Sequence, residues 1–242
     1  MKTQYLTTAA LLAPLALGFS LAGAPAKAAT ITLDFGNEAN QALIEEFFNG
    51  GTDSQGKSGS NLGISFGTNA ESLKSGINGA GGTGTGKFEN LPSGFGPGVL
   101  YFAAVPTGAL SVMNARNGFS TISFDYSLLS NASSNSGSLQ LWSGLNGTGT
   151  LLDTISLSAS ANPIACTNVK DSFCSWSNAS AAGFGLADSA VLVSKFAGVT
   201  EIGGISMTTP VPLPGTLLLL LSGAGGLLGF ARRRAGSLIA AS

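Results

Sequence analysis

The chain has 242 residues, 10% of them charged and 44% hydrophobic, with 35 glycines, no histidine and a formal net charge of −1. About a quarter of the residues in an ordinary soluble domain are charged, so this is not a cytosolic composition, and its many β-branched and aromatic residues are the reverse of a disordered chain. Without histidine there is no Ser-His-Asp or Cys-His catalysis, and two cysteines are too few for a closed structural zinc site.

The N-terminus reads as an export signal. Lys2 and the free amine precede an apolar stretch from Ala9 to Ala22, and Ala26-Lys27-Ala28 is a small-x-small site, which predicts a signal peptide over 1–28. Pro14 and Gly18 interrupt a run already too short for a membrane anchor.

Residues 29–209 form the body, in which strand-like alternation dominates. Ile31, Leu33 and Phe35 share a face, as do Leu62, Ile64 and Phe66. Further strands are predicted over Val99–Phe102, Ser111–Ala115, Thr121–Leu128, Leu139–Leu141, Leu151–Leu157, Ala190–Phe196 and Gly204–Thr208. Asn146-Gly147 supplies a hairpin turn between the strands around Leu141 and Leu151. The one helical pattern is Asn40–Phe48, where Leu43, Ile44, Phe47 and Phe48 can form a stripe. About nine short strands with glycine-rich turns predict an all-β fold: a single antiparallel β-sandwich, jelly-roll-like. Between residues 30 and 209 six lysines and arginines face all twelve acids, a net charge of −6, which argues against nucleic acid and anionic membrane surfaces as partners.

The C-terminus is a second address. Val211-Pro212-Leu213-Pro214-Gly215 leads into an apolar run over 216–231, and Arg232, Arg233 and Arg234 follow directly. As a helix the run spans about 24 Å, slightly short of a ~30 Å hydrocarbon core. The prolines mark where it begins, and the arginines stop translocation and stay on the cytoplasmic side, leaving residues 235–242 as a short cytoplasmic tail.

This arrangement over residues 210–234 resembles the PEP-CTERM sorting signal, in a Val-Pro-Leu-Pro variant (Val211, Pro212, Leu213, Pro214). The resemblance implies an exosortase as transient partner, anchoring in the inner membrane before processing, and release to the cell surface or exterior afterwards. The body is similar to a domain often found ahead of such tails, through Asp34–Asn37, Gly63–Ala70, Lys87–Gly94, Leu141–Leu152 and Phe173–Trp176. That domain type is a sandwich like the carbohydrate-binding jelly rolls. Where it commonly closes on Gly-Phe-Asp-Asn, this chain has Glu201-Ile202-Gly203-Gly204-Ile205.

Several matches lack their context. Gly51–Ser58 fits the P-loop pattern but has no strand before it and no good helix after it, and Gly79, Gly81 and Gly84 spell G-x-G-x-x-G without a βαβ unit. Neither calls for a nucleotide cofactor. Cys166 and Cys174 are an even pair in an exported chain, which predicts a structural disulfide. Trp142 and Trp176 are candidate carbohydrate contacts, as amphipathic aromatics are at recognition surfaces, and Trp142 is expected to face away from Leu139 and Leu141. No pair of carboxylates stands out for glycoside hydrolysis. The sequence thus predicts a non-enzymatic exported surface or matrix protein, sorted by an exosortase and associated with extracellular polysaccharide. A lectin-like binding module is the alternative, and a secreted glycosidase ranks third.

Overall fold

The structure, a computed structural model, describes residues 28–76, 84–102, 111–129, 136–159, 164, 166–167, 173–194 and 200–210. The expected signal peptide, except its last residue, and everything from Val211 onward lie outside these residues. Among the described residues the regular structure is antiparallel β: β1 (Ala29–Asp34), β2 (Ala42–Leu43), β3 (Ile64–Phe66), β4 (Ala70–Lys74), β5 (Gly98–Phe102), β6 (Ser111–Leu128), β7 (Ser136–Gly144), β8 (Thr148–Ser158), β9 (Trp176–Ser194) and β10 (Thr200–Thr209). A single 3-10 turn, Leu145–Gly147, joins β7 to β8 where the Asn-Gly pair predicts a hairpin.

The strands make one hydrogen-bonded path, β2-β4-β5-β10-β6-β9-β7-β8, with β1 on β10 and β3 on β6. The long strands β6 and β9 fold this path over itself. Their C-terminal and N-terminal halves, paired from Thr121–Ala182 to Ser127–Trp176, belong to a first layer with β10, β5, β4, β2 and β1. Their other halves, paired from Ser111–Leu192 to Asn114–Ser189, belong to a second layer with β3, β7 and β8. Core side chains from both layers meet: Leu100, Phe124 and Ile202 from the first, Met113, Leu139 and Ala190 from the second, all around one internal cavity of about 10 Å³. At one end Tyr126 ties the layers, its hydroxyl donating to the Ser158 carbonyl (3.1 Å) and accepting from the Ser158 amide (3.3 Å).

The fold-over has a local cause. Between the pairs Asn114–Ser189 and Phe119–Ala187, β6 carries residues 115–118 against the single Asp188; between Phe119–Ala187 and Thr121–Ala182, β9 carries residues 183–186 against the single Ser120. Extra residues on one strand bend it and increase its twist, and two such bulges in succession, on opposite strands, turn the ribbon from one layer to the other. Gly118 (φ +65°) makes the first possible, because a Cβ there would stand 2.7 Å from Leu186 Cγ. Phe119 sits between the bulges, fully buried, with its ring edge-to-face on Phe184 (centroids 5.9 Å apart).

The segment 40–48 is not a helix. It contains only β2 and turns, with Gln41 and Glu45 at φ 59° and 45°. Its amides are committed elsewhere: Gln41 donates to the Ser72 carbonyl, Ile44 to the Ala70 carbonyl and Leu43 to Ser54 Oγ. The apolar stripe is real, since Ile44, Phe47 and Phe48 are buried, but cross-strand partners satisfy the backbone in place of an i→i−4 ladder.

Phe119→Ala is expected to destabilise the signal-cleaved protein by about 3–5 kcal/mol, the usual range for emptying a buried phenylalanine site. Leu151→Ala, 43% exposed at the start of edge strand β8, serves as the control and should stay near wild type. Urea unfolding with the disulfide intact measures both.

Candidate functional site

The outer face of the second layer carries a cross-strand row, Ser65–Asn114–Ser189–Trp142–Leu151, spanning β3, β6, β9, β7 and β8. Trp142 stands on this face because Leu139 and Leu141 point into the core and strand side chains alternate. It is half-buried, and its indole N–H is buried without a partner. The β7–β8 turn folds back onto the row. The Asn146 amide donates to Asn114 Oδ1 and Asn114 Nδ2 to Asn146 Oδ1, both at 2.8 Å; Ser189 Oγ donates to the Gly144 carbonyl (2.6 Å) and accepts from the Gly147 amide (3.0 Å). Asn146 adopts φ 58°, a conformation asparagine tolerates better than most residues.

Beside the row lies a shallow groove of about 270 Å³ lined by Asn49, Gly63, Ser65, Asn114, Arg116, Leu145 and Asp188. The paired bulges create it: the β6 bulge turns Arg116 out to solvent, and Asp188 is the residue it opposes. A guanidinium with five fixed donors, a carboxylate acceptor, amides and an exposed leucine are the groups that grip a hydroxyl-rich ligand. Arg116 is the only arginine in the body but belongs to no motif, and nothing in the sequence marks Asp188.

A second, larger groove of about 520 Å³ runs between β1 and residues 57–62, with Thr32, Asp34, Asn37, Lys57, Ser58 and Ser60 over a floor that includes Phe47 and Phe48. The P-loop-like segment forms its wall. Asp53 Oδ1 accepts the amides of Gln55 (3.0 Å) and Lys57 (2.9 Å), and Oδ2 accepts that of Ala39 (2.9 Å), while Thr52 bridges Ser58. The amides that would cradle a phosphate are held by the chain's own carboxylate. Of the other glycine motif, Gly79 and Gly81 lie outside the described residues.

Trp176 lies apart from Trp142, on the outer face of the first layer. There a second cluster (Phe88, Val99 and Phe173, with Leu73, Leu91, Leu129 and Trp176 against it) covers the sheet. The Trp176 ring packs edge-to-face on Phe88 and its N–H donates to the Glu89 carbonyl at 2.8 Å. The covering segments are fastened together. Phe88 bridges Phe173, the Thr167 hydroxyl donates to Glu89 Oε2 (2.8 Å), and Cys166 is disulfide-bonded to Cys174. Gly204 stands where the Phe95 ring lies on β10, leaving no room for a side chain there.

Four acids are buried among the described residues, Glu38, Asp53, Glu89 and Glu201, and two of them, Glu38 and Glu201, have carboxyl oxygens without a partner. Glu201 shares a cross-strand row with Tyr101 and Ser127 and is 1% exposed, its Oε2 unpartnered; burial pushes its carboxyl well above the usual range. Glu38 has no exposure, and neither of its oxygens has a hydrogen-bond partner from another residue. Burial, reinforced by the charges of Asp34 and Asp53, raises it from 4.5 to about 7 against the opposing pull of its own backbone amide and of Lys57. Among the described residues no group of three or more acidic or cysteine side chains is placed to hold a metal ion.

No protein-family model matches the chain, and no curated protein does. Among solved structures, the K2 cleaved adhesin domain of Lys-gingipain is similar with a TM-score of 0.43 at 10% identity, over 75% of this chain and 100% of that domain. The K1 cleaved adhesin domain of Lys-gingipain from Porphyromonas gingivalis W83 gives 0.37 at 11% identity, over 76% and 99%. The C-terminal family 22 carbohydrate-binding module of Clostridium thermocellum Xyn10B gives 0.33 at 13%, over 74% and 97%. None of the three shares enough of its shape with this chain to bear on a site.

Glu38 sets a pH dependence. Its folded value lies above its unfolded one, so between about pH 4.5 and 7 the folded chain holds a proton that the unfolded chain has lost. Stability is therefore greatest below that window and falls as pH rises through it, by on the order of 3 kcal/mol in all. Glu38→Gln should remove Glu38's share of this fall, leaving the part that Glu201 contributes, and stabilise the protein at neutral pH, as read from urea midpoints at pH 4.5, 6 and 8; a variant that keeps the full wild-type slope would show that Glu38 is not responsible.

Proposed function

We propose that the chain is an exported, non-enzymatic protein of the cell surface or extracellular matrix, with a jelly-roll-like sandwich body held in the inner membrane by residues 216–231 until an exosortase cuts at Val211–Pro214. The carrying observation is the Cys166–Cys174 disulfide, with its Cα atoms 5.5 Å apart, because such bonds persist outside the reducing cytosol. It supports the same compartment as the signal peptide over 1–28. Each groove is lined by a single carboxylate, Asp188 in one and Asp34 in the other, which favours binding over the paired-carboxylate chemistry of glycosidases.

The mass of the mature protein from its native host tests the sorting step. A chain beginning near Ala29 and ending between Pro212 and Gly215 is expected. Intact peptides carrying Arg232–Arg234, recovered from a host with active exosortase, would leave a plain membrane anchor.

A lectin-like role for the same body is favoured by the Trp142 row and the Arg116 groove beside it. Electrophoresis of the mature protein through gels containing the host's exopolysaccharide should show retardation. Arg116→Ala should weaken it about tenfold or more, the scale of a lost charge-assisted hydrogen bond, and Trp142→Ala should also weaken it. Trp176→Phe should not, since that indole is engaged under the 87–91 segment. Unretarded wild-type protein would remove this reading and leave the first intact.

A further inference from the structure

The first and last strands are neighbours. Ala29 pairs with Thr209 and Thr30 with Thr208, so the expected signal-peptide cleavage site and the start of the sorting segment leave the fold side by side. The row continues from Thr208 to Thr121 and from Thr121 to Ala182, and Thr121 Oγ1 donates to Thr208 Oγ1 at 2.8 Å. Immediately past Ala182 comes the β9 bulge. Both membrane-directed segments therefore attach at the corner where the bulges stand.

The β9 side of that corner is apolar, while the β6 side carries the exposed Arg116 and Asn117. Residues 179–187 read Ala-Ser-Ala-Ala-Gly-Phe-Gly-Leu-Ala, without a charge. Ala182, Gly183 and Gly185 are exposed, Leu186 is 48% exposed, and Phe184 backs them from within against Phe119. Gly183 and Gly185, at φ 78° and 93°, have open space on their Cβ sides.

The tether is short. Only residues 210–215 separate β10 from the apolar run, at most about 20 Å fully extended. The headgroup zone takes roughly 5–8 Å of this on one side of the bilayer. β10 lies between β6 on one side and β1 and β5 on the other, so the tether cannot lengthen without breaking pairs on both edges.

We propose that the bulge Ala182–Leu186 is a membrane-contacting surface, seated on the outer lipid headgroups while the tail remains in the bilayer. This rests on the reading of residues 216–231 as a membrane span. The contact is apolar and depends on the tether, since a body of net charge −6 is not drawn to anionic lipid by electrostatics.

The signal-cleaved chain, with its tail intact, would be reconstituted in vesicles of phosphatidylethanolamine and phosphatidylglycerol containing a nitroxide-labelled lipid. An environment-sensitive fluorophore would be placed in turn at Leu186→Cys, Ala182→Cys and Val193→Cys, the last being 40% exposed near the opposite end of β9. The probes at 186 and 182 are expected to lose most of their emission to the lipid quencher while the probe at 193 keeps it. Ala182→Cys covers the case in which replacing Leu186 disturbs its packing on Gly118. Equal emission from all three in protein that floats with the vesicles would overturn the contact and leave the anchor reading standing. Protein that fails to float would overturn both. Probes shielded from aqueous iodide but not quenched by lipid would mean that protein covers the corner, and would also overturn the proposal.

Discussion

The fold depends on one turn of the ribbon made by β6 and β9. A ladder of eighteen or nineteen residues, as these strands would form if regular, cannot cover both sides of a small core; it has to bend. Surplus residues on one strand and then on the other accomplish the bend within a few positions, and Phe119 is the pivot because it is the pair that survives between them. A single bulge would leave the strands splayed and out of register on one side. Two reciprocal bulges restore the register after the corner, so that Thr121–Ala182 and Asn114–Ser189 are both regular pairs. The same geometry ejects Arg116 and Asp188 from the sheet, so the candidate groove is a by-product of the corner and needs no separate scaffold.

The outer face of the first layer shows the opposite treatment. Rather than staying open, it is roofed by residues 87–95 and the segment around Phe173, and the disulfide ties that roof where few residues are available to form a core of their own. Gly203 and Gly204 are the condition for this roof, because Leu91 and Phe95 rest directly on the strand there. The roof accounts for Trp176, whose indole serves as a rafter rather than a platform. One layer thus has its outer face covered; the other keeps a tryptophan row and a groove beside solvent.

Alternation made the short strands legible. Thr121–Leu128 and Gly204–Thr208 are strands with apolar residues on one face at period two, while Val99–Phe102 is a strand apolar on both faces, Val99 toward the outer cluster and Leu100 and Phe102 toward the core. The first half of β9 was not legible: Asn178–Ala182 consists of small and polar residues whose outer face is solvated and whose inner face needs only alanine beside Phe124 and Ile122. Nor did the sequence show that two predicted strands, Ser111–Ala115 and Thr121–Leu128, are one strand through a bulge, because Arg-Asn-Gly reads locally as a turn. The helical stripe at 40–48 misled for a related reason, as burial at period three to four arises equally from successive turns whose amides are claimed by neighbouring strands. The groove depended on these non-local pairings, so Arg116 and Asp188 come together only in the folded chain.

The groove and the proposed membrane contact share one structural element. Arg116 and Asp188 belong to the same paired bulges as Leu186, and Leu186 packs against Gly118, two residues from Arg116. Under the proposed contact, a tether of at most about 20 Å would keep the groove close to the headgroups. The proposed cut at Val211–Pro214 would remove the tether without touching a strand, because the last paired residue is Thr209. On that reading, release would free the corner and the groove together. The first strand follows the same logic: Ala29 pairs at the edge of β10, so loss of the signal peptide leaves the ladder intact. Both proposed cuts lie just outside the outermost pair of the same two strands, so neither would remove a paired residue.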